Sequence, residues 1–257
     1  MKQTGAFHWK YRFRASLFHL AISLAIAGLV AVMMFTLWYP YPYRDSSGGR
    51  ELFLLVVAVD VVLGPMITFA IFDRTKSRAV LARDLAVVGA IQLAALSYGL
   101  WIAAAARPVH LVFEFDRFRA VHAVEVPPEM LGQVPAGVRA MPLSGPTLLA
   151  VRPFRDNGEK LSATLAALNG MPLGARPDLW QAYAQARERV LAAARPVSEL
   201  RQRFPQQDAE IEAAVARSGR PVEKLVYLPM IDRKAYWTVL LDADSAGVRG
   251  FIPLDSF

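Results

Sequence analysis

Three groups of residues in this chain have types and spacing suited to chemistry. His110, Glu114 and Asp116 alternate along one short segment, with His122 close behind. Imidazoles and carboxylates on one strand face can form a zinc donor set, but the same pattern is the polar face of an ordinary amphipathic strand, and that plainer reading is preferred. Asp242 and Asp244 in DADSAG have the DxD spacing of metal–nucleotide sites. Their place between two strand-like runs reads instead as a hairpin loop, and the region is too small for a sugar-nucleotide fold. The third group surrounds Asp60, a carboxylate inside an apolar stretch.

The Asp60 group is the most informative. A charge at mid-membrane costs ~3 kcal/mol even on the mildest scales, so it is expected to face protein. Helical spacing puts Asp60, Gly64 and Thr68 on one face. Pro65 removes an N–H and leaves the Val61 carbonyl without its usual partner. Together Asp60, Gly64, Pro65 and Thr68 make a polar notch with a kink, a candidate docking point for a partner helix. The plain alternative is a bond from Asp60 to Gln92 or Tyr98 within the chain. A proton relay would need more ionisable groups than this one.

No GxxxxGK, GxGxxG, GxSxG or HExxH motif occurs, which removes the phosphate-loop, dinucleotide, nucleophile-elbow and zincin readings. Cysteine is absent, so disulfides, thiol catalysis and cysteine zinc sites are excluded. The expectation is a protein without catalytic residues, metal or cofactor. The competing reading is a membrane-anchored enzyme acting on envelope glycan or on a protein partner, with His110, Glu114, Asp242 and Asp244 as its candidates.

These residues are distributed over two dissimilar halves. The chain has 257 residues, 54% of them hydrophobic, and a mean hydropathy of +0.29. The apolar excess lies in residues 1–106, which read as a membrane domain. Three spans are expected, at about residues 16–38, 52–72 and 85–106. The first holds no Lys, Arg, Asp or Glu from Ser16 to Trp38, enough to cross a hydrocarbon core of ~30 Å. It is too long for a signal-peptide core and lacks a small-x-small site, so it reads as an uncleaved anchor. Trp38, Tyr39, Tyr41 and Tyr43 form an aromatic belt at its exit, and Pro40 and Pro42 stop the helix.

Lys2, Lys10, Arg12 and Arg14 precede the first span, and Arg74, Lys76, Arg78 and Arg83 separate the second from the third. Basic segments stay in the cytoplasm. This orientation puts the N-terminus and the second loop inside and everything after Arg107 outside. The later half, residues 107–257, carries 19 Lys and Arg against 17 Asp and Glu. The net charge of +7 therefore arises mostly from the span-flanking loops, and no stripe suited to nucleic acid exists.

Residues 107–257 read as an α+β domain with a small, mostly antiparallel sheet. Leu111, Phe113 and Phe115 alternate with Val112, Glu114 and Asp116 as a half-buried strand, and a second strand follows from Phe118 to Val126. Helices are expected at 156–168, at 177–194 with Leu179, Tyr183, Ala186, Val190 and Leu191 on one face, and at 206–217. Strands at 225–230, 235–242 and 248–254 close the chain.

Several stretches taken together resemble the TfpX/TfpZ family of type IV pilin accessory proteins. They are FRASLFHLAISL, the WYPYPY exit, VDVVLGPMITFAIF, DLAVVGAIQLAALSYGLW and RPVHLVFEFDRF. The YLPM and WTVLLDADSAGVRGFIPLD runs near the end are also similar. The likeness is closest from Phe13 to Phe118 and looser from Val126 to Lys224. Its most specific element is the aspartate followed by LGP, here Asp60, Leu63, Gly64 and Pro65. The resemblance implies a multi-pass protein of the bacterial inner membrane with a periplasmic C-terminal domain. It implies the major type IV pilin as partner, with other pilus-assembly components alongside, and no enzymatic activity.

Overall fold

A computed structural model describes residues 9–257, in two compact units. One comprises the chain up to Phe35 with Gly49–Ala104, the other Thr36–Gly48 with Ala105–Phe257. Lys2, one of the basic residues before the first span, lies outside the described residues.

The first unit is built on three helices long and apolar enough to cross a membrane: Trp9–Trp38, Gly49–Ile71 and Arg78–Ala105. Each extends past its apolar run because the flanking residues, such as Lys10 to Arg14, are themselves good helix formers. The second span is not regular. Its turn Val59–Leu63 is a π-helix, between α-helical Gly49–Ala58 and Gly64–Ile71. Pro65 offers no N–H to the preceding turn, and a wider turn takes up that disruption at the point where Asp60 sits.

The second unit is organised around one sheet. Its strands are β1 (Pro108–Glu114), β2 (Arg117–His122), β3 (Thr147–Val151), β4 (Trp180–Ala182), β5 (Arg195–Pro196), β6 (Leu225–Ile231), β7 (Tyr236–Asp242) and β8 (Val248–Ile252). The order is β4-β3-β1-β2-β6-β7-β8, with β5 also paired to β6. The expected small, mostly antiparallel sheet is corrected here. The sheet has eight strands and is mixed, since β1–β3 and β2–β6 pair in parallel. A parallel join needs a long crossover, and the one between β2 and β6 takes up residues 123–224, including most of the helices.

Burial follows from this order. β1 is central and buried at all seven positions, not half-buried as its alternation suggests, because both sheet faces are covered. Leu111, Phe113, Phe118, Leu228, Met230 and Val239 pack on one face with Ala186 and Val190. Val112, Val151, Ala163, Leu179 and Trp180 form a core on the opposite side. Farther along the sheet, Tyr227, Leu240 and Ile252 meet Val197, Leu200, Ile211 and Ala214 of helices Val197–Arg203 and Asp208–Ser218.

Two helices match their sequence signals. Asp156 caps Asn157–Leu168 by accepting from the Glu159 N–H at 2.8 Å, the side-chain acceptor an N-cap supplies. Asp208–Ser218 ends at Gly219, whose φ of +67° is a left-handed cap. The expected helix at 177–194 is broken. Only Arg187–Ala193 is α-helical, while Trp180–Ala182 is β4, pairing antiparallel with β3. Leu179 and Trp180 belong to one core and Ala186 and Val190 to another, so one continuous helix face cannot serve both.

Candidate functional site

In the first unit the structure brings Asp60, Gly64, Pro65 and Thr68 together on a buried face. The chain's own first span covers much of it. Ser16 Oγ donates to the Pro65 carbonyl at 2.9 Å, and His19 Nδ1 shares a 2.5 Å hydrogen bond with Thr68 Oγ1. The small side chains Ser23 and Ala27 are buried one and two turns farther along. Ser16, His19, Ser23 and Ala27 lie on one helical stripe, so the first span offers the second a matching polar and small-residue seam. Close approach of this kind is how helices associate where no hydrophobic force drives them together.

The third span meets the same face at one glycine. A Cβ on Gly64 would overlap the Gln92 amide, and Gln92 Nε2 donates to the Asp60 backbone carbonyl at 3.4 Å. The bond therefore reaches the main chain of Asp60, not its carboxylate, and Tyr98 is 64% exposed. The Asp60 side chain lines a small cavity with Ser23, Ala27, Val56 and Leu96. Its Oδ1 is buried and has no hydrogen-bond partner among the described residues. An unmet acceptor in such surroundings is costly, and π turns often mark functional positions. Gly64→Val is expected to displace Gln92 and lower stability by ~1–3 kcal/mol. Gly89→Ala, where a Cβ meets open space, should cost nothing measurable. Thermal unfolding of both variants in detergent checks this.

In the second unit, the segment Thr36–Gly48 is bound to the sheet end. Gly145 N–H donates to the Leu37 carbonyl at 2.5 Å and Lys234 N–H to the Ser46 carbonyl at 3.0 Å. Tyr41 stands edge-on to Trp237 and Phe251, and Tyr43 edge-on to Phe251. Tyr39 and Tyr43 are buried, so two of the aromatics expected as a belt at the exit of the first span are packing groups within this unit, and burial pushes both phenol pKa values up.

The segment ends on a buried charge cluster. Ser47 Oγ bonds both Asp232 carboxylate oxygens, at 2.9 and 2.8 Å. Asp232 Oδ1 lies 3.3 Å from His122 Nε2, a charge contact out of line for a hydrogen bond. On the other ring nitrogen, Glu125 Oε2 is 3.2 Å from Nδ1 and also accepts the His122 backbone N–H at 2.8 Å. Burial opposes charge on His122, but the two carboxylates outweigh it and raise its pKa to about 9. Burial likewise pushes Glu125 up, and its contacts to His122 prevail and hold it below the usual range. Serine, histidine and aspartate occur here in the wrong order for nucleophilic catalysis, which needs the hydroxyl on the imidazole. The serine bonds the carboxylate, and the cluster functions as a clasp. Nothing in the sequence links Ser47 to Asp232 across 185 positions, and of this cluster only His122 stands among the sequence-derived candidates.

The remaining candidates are dispersed. His110 bonds Thr147 Oγ1 at 2.6 Å and the Ala140 carbonyl at 3.0 Å, and burial lowers its pKa to about 4. Glu114 accepts from Arg119 and from the Gly174 N–H, while Asp116 pairs with Arg117 in the turn. No His, Asp and Glu cluster able to hold a metal occurs among the described residues. Asp242 accepts the N–H groups of Asp244 and Ser245 and faces Arg220 and Arg249. Those contacts hold its pKa well below the usual range. Asp244 is exposed and meets Lys224. The pair serves the β7–β8 hairpin.

A family model described as fimbrial assembly protein FimB matches residues 7–48, the stretch containing the first span and the segment just described. The serogroup I fimbrial assembly protein of Dichelobacter nodosus is 31% identical over 241 residues, 93% of each chain. The serogroup E1 protein of the same organism is 30% identical over the same length and shares. The protein of serogroups C1 and C2 is 39% identical over 101 residues, 39% of this chain and 77% of that one. No solved structure matches. With a relative 31% identical over 93% of both chains, the chain belongs to the FimB family of fimbrial assembly proteins.

Proposed function

We propose that this chain is an inner-membrane accessory protein of type IV fimbrial biogenesis that binds the major pilin and assists its assembly or display. The observation that carries the reading is the relation to fimbrial assembly proteins over 93% of the chain. The basic residues before the first span and between the second and third favour those segments in the cytoplasm, which leaves the second unit on the periplasmic side. Commitment of His110, Glu114 and Asp242 to internal bonds supports a binding role over a catalytic one.

A pilin subunit in the membrane presents an apolar helix and a globular head. The helix meets the first unit beside Asp60, Gly64, Pro65 and Thr68. The first and third spans cover this face and Asp60 Oδ1 lies buried without a partner, so a donor on the pilin helix satisfies it only by displacing part of that cover. Interhelical bonds average only ~0.6 kcal/mol, so the contact serves selection more than affinity. The head meets the second unit, whose sheet ends in β8, an edge able to take a further strand.

Asp60→Ala is expected to lower surface piliation with the variant present at its normal level. Unchanged piliation would remove Asp60 from the mechanism. A photoreactive residue at Leu96, beside Asp60, and another at exposed Tyr236 should each yield a pilin-sized adduct in cells making the cognate pilin. Correctly inserted protein giving no adduct at either position would sink the direct-binding reading.

A further inference from the structure

An open cleft of about 680 Å³ lies within the first unit, lined in part by Tyr11, Arg14, Phe18, Arg74, Leu85 and Gly89. Its walls are mostly apolar, with His19, Thr68 and Gln92 among them, and its mouth is cationic. Arg14 comes from the start of the first span and Arg74 from just beyond the second, 60 positions later, yet both reach the same opening. The Arg74 guanidinium lies 4.3 Å from the centre of the Tyr11 ring. Neighbouring cations are neutralised within the chain, Arg12 by Asp73 and Lys76 by Asp84. Neither Arg14 nor Arg74 has an acidic partner among the described residues.

Both arginines sit two residues outside an apolar run, Arg14 before Ser16 and Arg74 after Phe72. That is the depth at which lipid phosphates lie. Below them Phe18 is 71% exposed, and a Cβ on Gly89 would meet nothing within 4 Å. A charged mouth over a greasy slot, at headgroup depth, matches one ligand chemistry: a phosphate monoanion attached to an acyl chain. Basic pockets between spans bind anionic headgroups in this way.

We propose that this cleft holds an anionic phospholipid, its phosphate between Arg14 and Arg74 and one acyl chain along Phe18, Leu85 and Gly89. The cleft shares Thr68 with the face assigned to the pilin helix, but lipid binding there does not require Asp60. It also differs from the general attraction of a basic loop to a negative surface, because two particular guanidiniums and a slot of defined shape are involved.

The test uses the full chain in a neutral detergent, titrated with phosphatidylglycerol or phosphatidylcholine, with retained lipid counted by native mass spectrometry. One phosphatidylglycerol should be retained per chain at concentrations where phosphatidylcholine is not. Arg14→Ala with Arg74→Ala should weaken retention about fivefold for each guanidinium, roughly 30-fold together. Arg83→Ala, a cation of the third helix outside the cleft, should leave it unchanged. Gly89→Leu fills the slot while keeping both arginines, and should also weaken retention. It decides the matter if the arginine variants fail to fold. Equal retention of the two lipids, indifference to both cleft variants, or full competition by inorganic phosphate would overturn the proposal, the last by making the mouth a free-anion site.

Discussion

Replacing His122 by alanine is expected to destabilise the second unit by ~3–5 kcal/mol, the range for removing one member of a buried charge group. The ring separates Glu125 and Asp232, and the Asp232 side chain is fully buried. Without the imidazolium, two carboxylates share that space with no cation between them, and Ser47 stays bonded to an uncompensated charge. Urea unfolding of the full chain, followed through a signal from the second unit, measures the loss.

The same cluster predicts a pH dependence of definite sign. His122 has its pKa raised from 6.5 to about 9 on folding. Its contribution is therefore complete below pH 6.5 and is lost as pH rises through 9, amounting to ~3 kcal/mol from the size of the shift. Glu125 is shifted downward, so its contribution is present above its unfolded value of 4.5 and lost as pH falls. His110 opposes acid as well. Its pKa falls from 6.5 to about 4, and the unfolded chain binds the extra proton across that interval. Stability should peak near pH 6.5 and decline on both sides. In the His122→Ala variant the alkaline decline between pH 6.5 and 9 should disappear while the acid decline persists. A parent protein equally stable at pH 6.5 and 9.5 would show that the clasp does not carry a charge.

The second large effect is expected at Trp180. It is 1% exposed, donates through Nε1 to the Gly174 carbonyl at 2.7 Å, and stands edge-on to His110 at 4.5 Å. Trp180→Ala removes the largest side chain of its core and is expected to cost ~3–5 kcal/mol, with the Gly174 carbonyl left unmet in addition. Near-ultraviolet circular dichroism should show the loss of a rigid indole. Leu168→Ala, at a position 78% exposed, should change stability by less than ~0.5 kcal/mol. If the two substitutions had similar effects, the division of the core around β4 would be wrong.

Trp180 also illustrates where the sequence misleads. Leu179, Tyr183, Ala186 and Val190 have helical spacing, yet Leu179 serves a different core from the others. Periodicity reports that residues are buried and is silent on which surface buries each one. The three long apolar helices were legible because a long, almost uncharged run has few other fates. The closing strands were legible because short alternating runs were bounded by turn residues. Parallel pairing of β2 with β6 left no local mark, since its determinants lie about a hundred residues apart. At the candidate site, Asp60 was conspicuous as an ionisable group among apolar neighbours. Its surroundings were not, because Ser16, His19 and Ser23 read individually as unremarkable polar residues of another helix. Ser47 and Asp232 lay beyond any local signal.

The segment Thr36–Gly48 has a consequence for the order of events during synthesis. Its hydrogen-bonding partners include Lys234 and Asp232, 185 positions after Ser47 in the case of the carboxylate. At the usual ~5–20 residues per second of translation, the segment emerges roughly 10–40 s before the residues that seat it. During that interval Tyr39 and Tyr43 have no partner from Asp232 or the last strands, and at its end the second unit has every helix but not its clasp. Completion of this unit is therefore timed by the arrival of β6 and β7, and a ribosome stalled before residue 232 leaves an early, tyrosine-rich segment unseated.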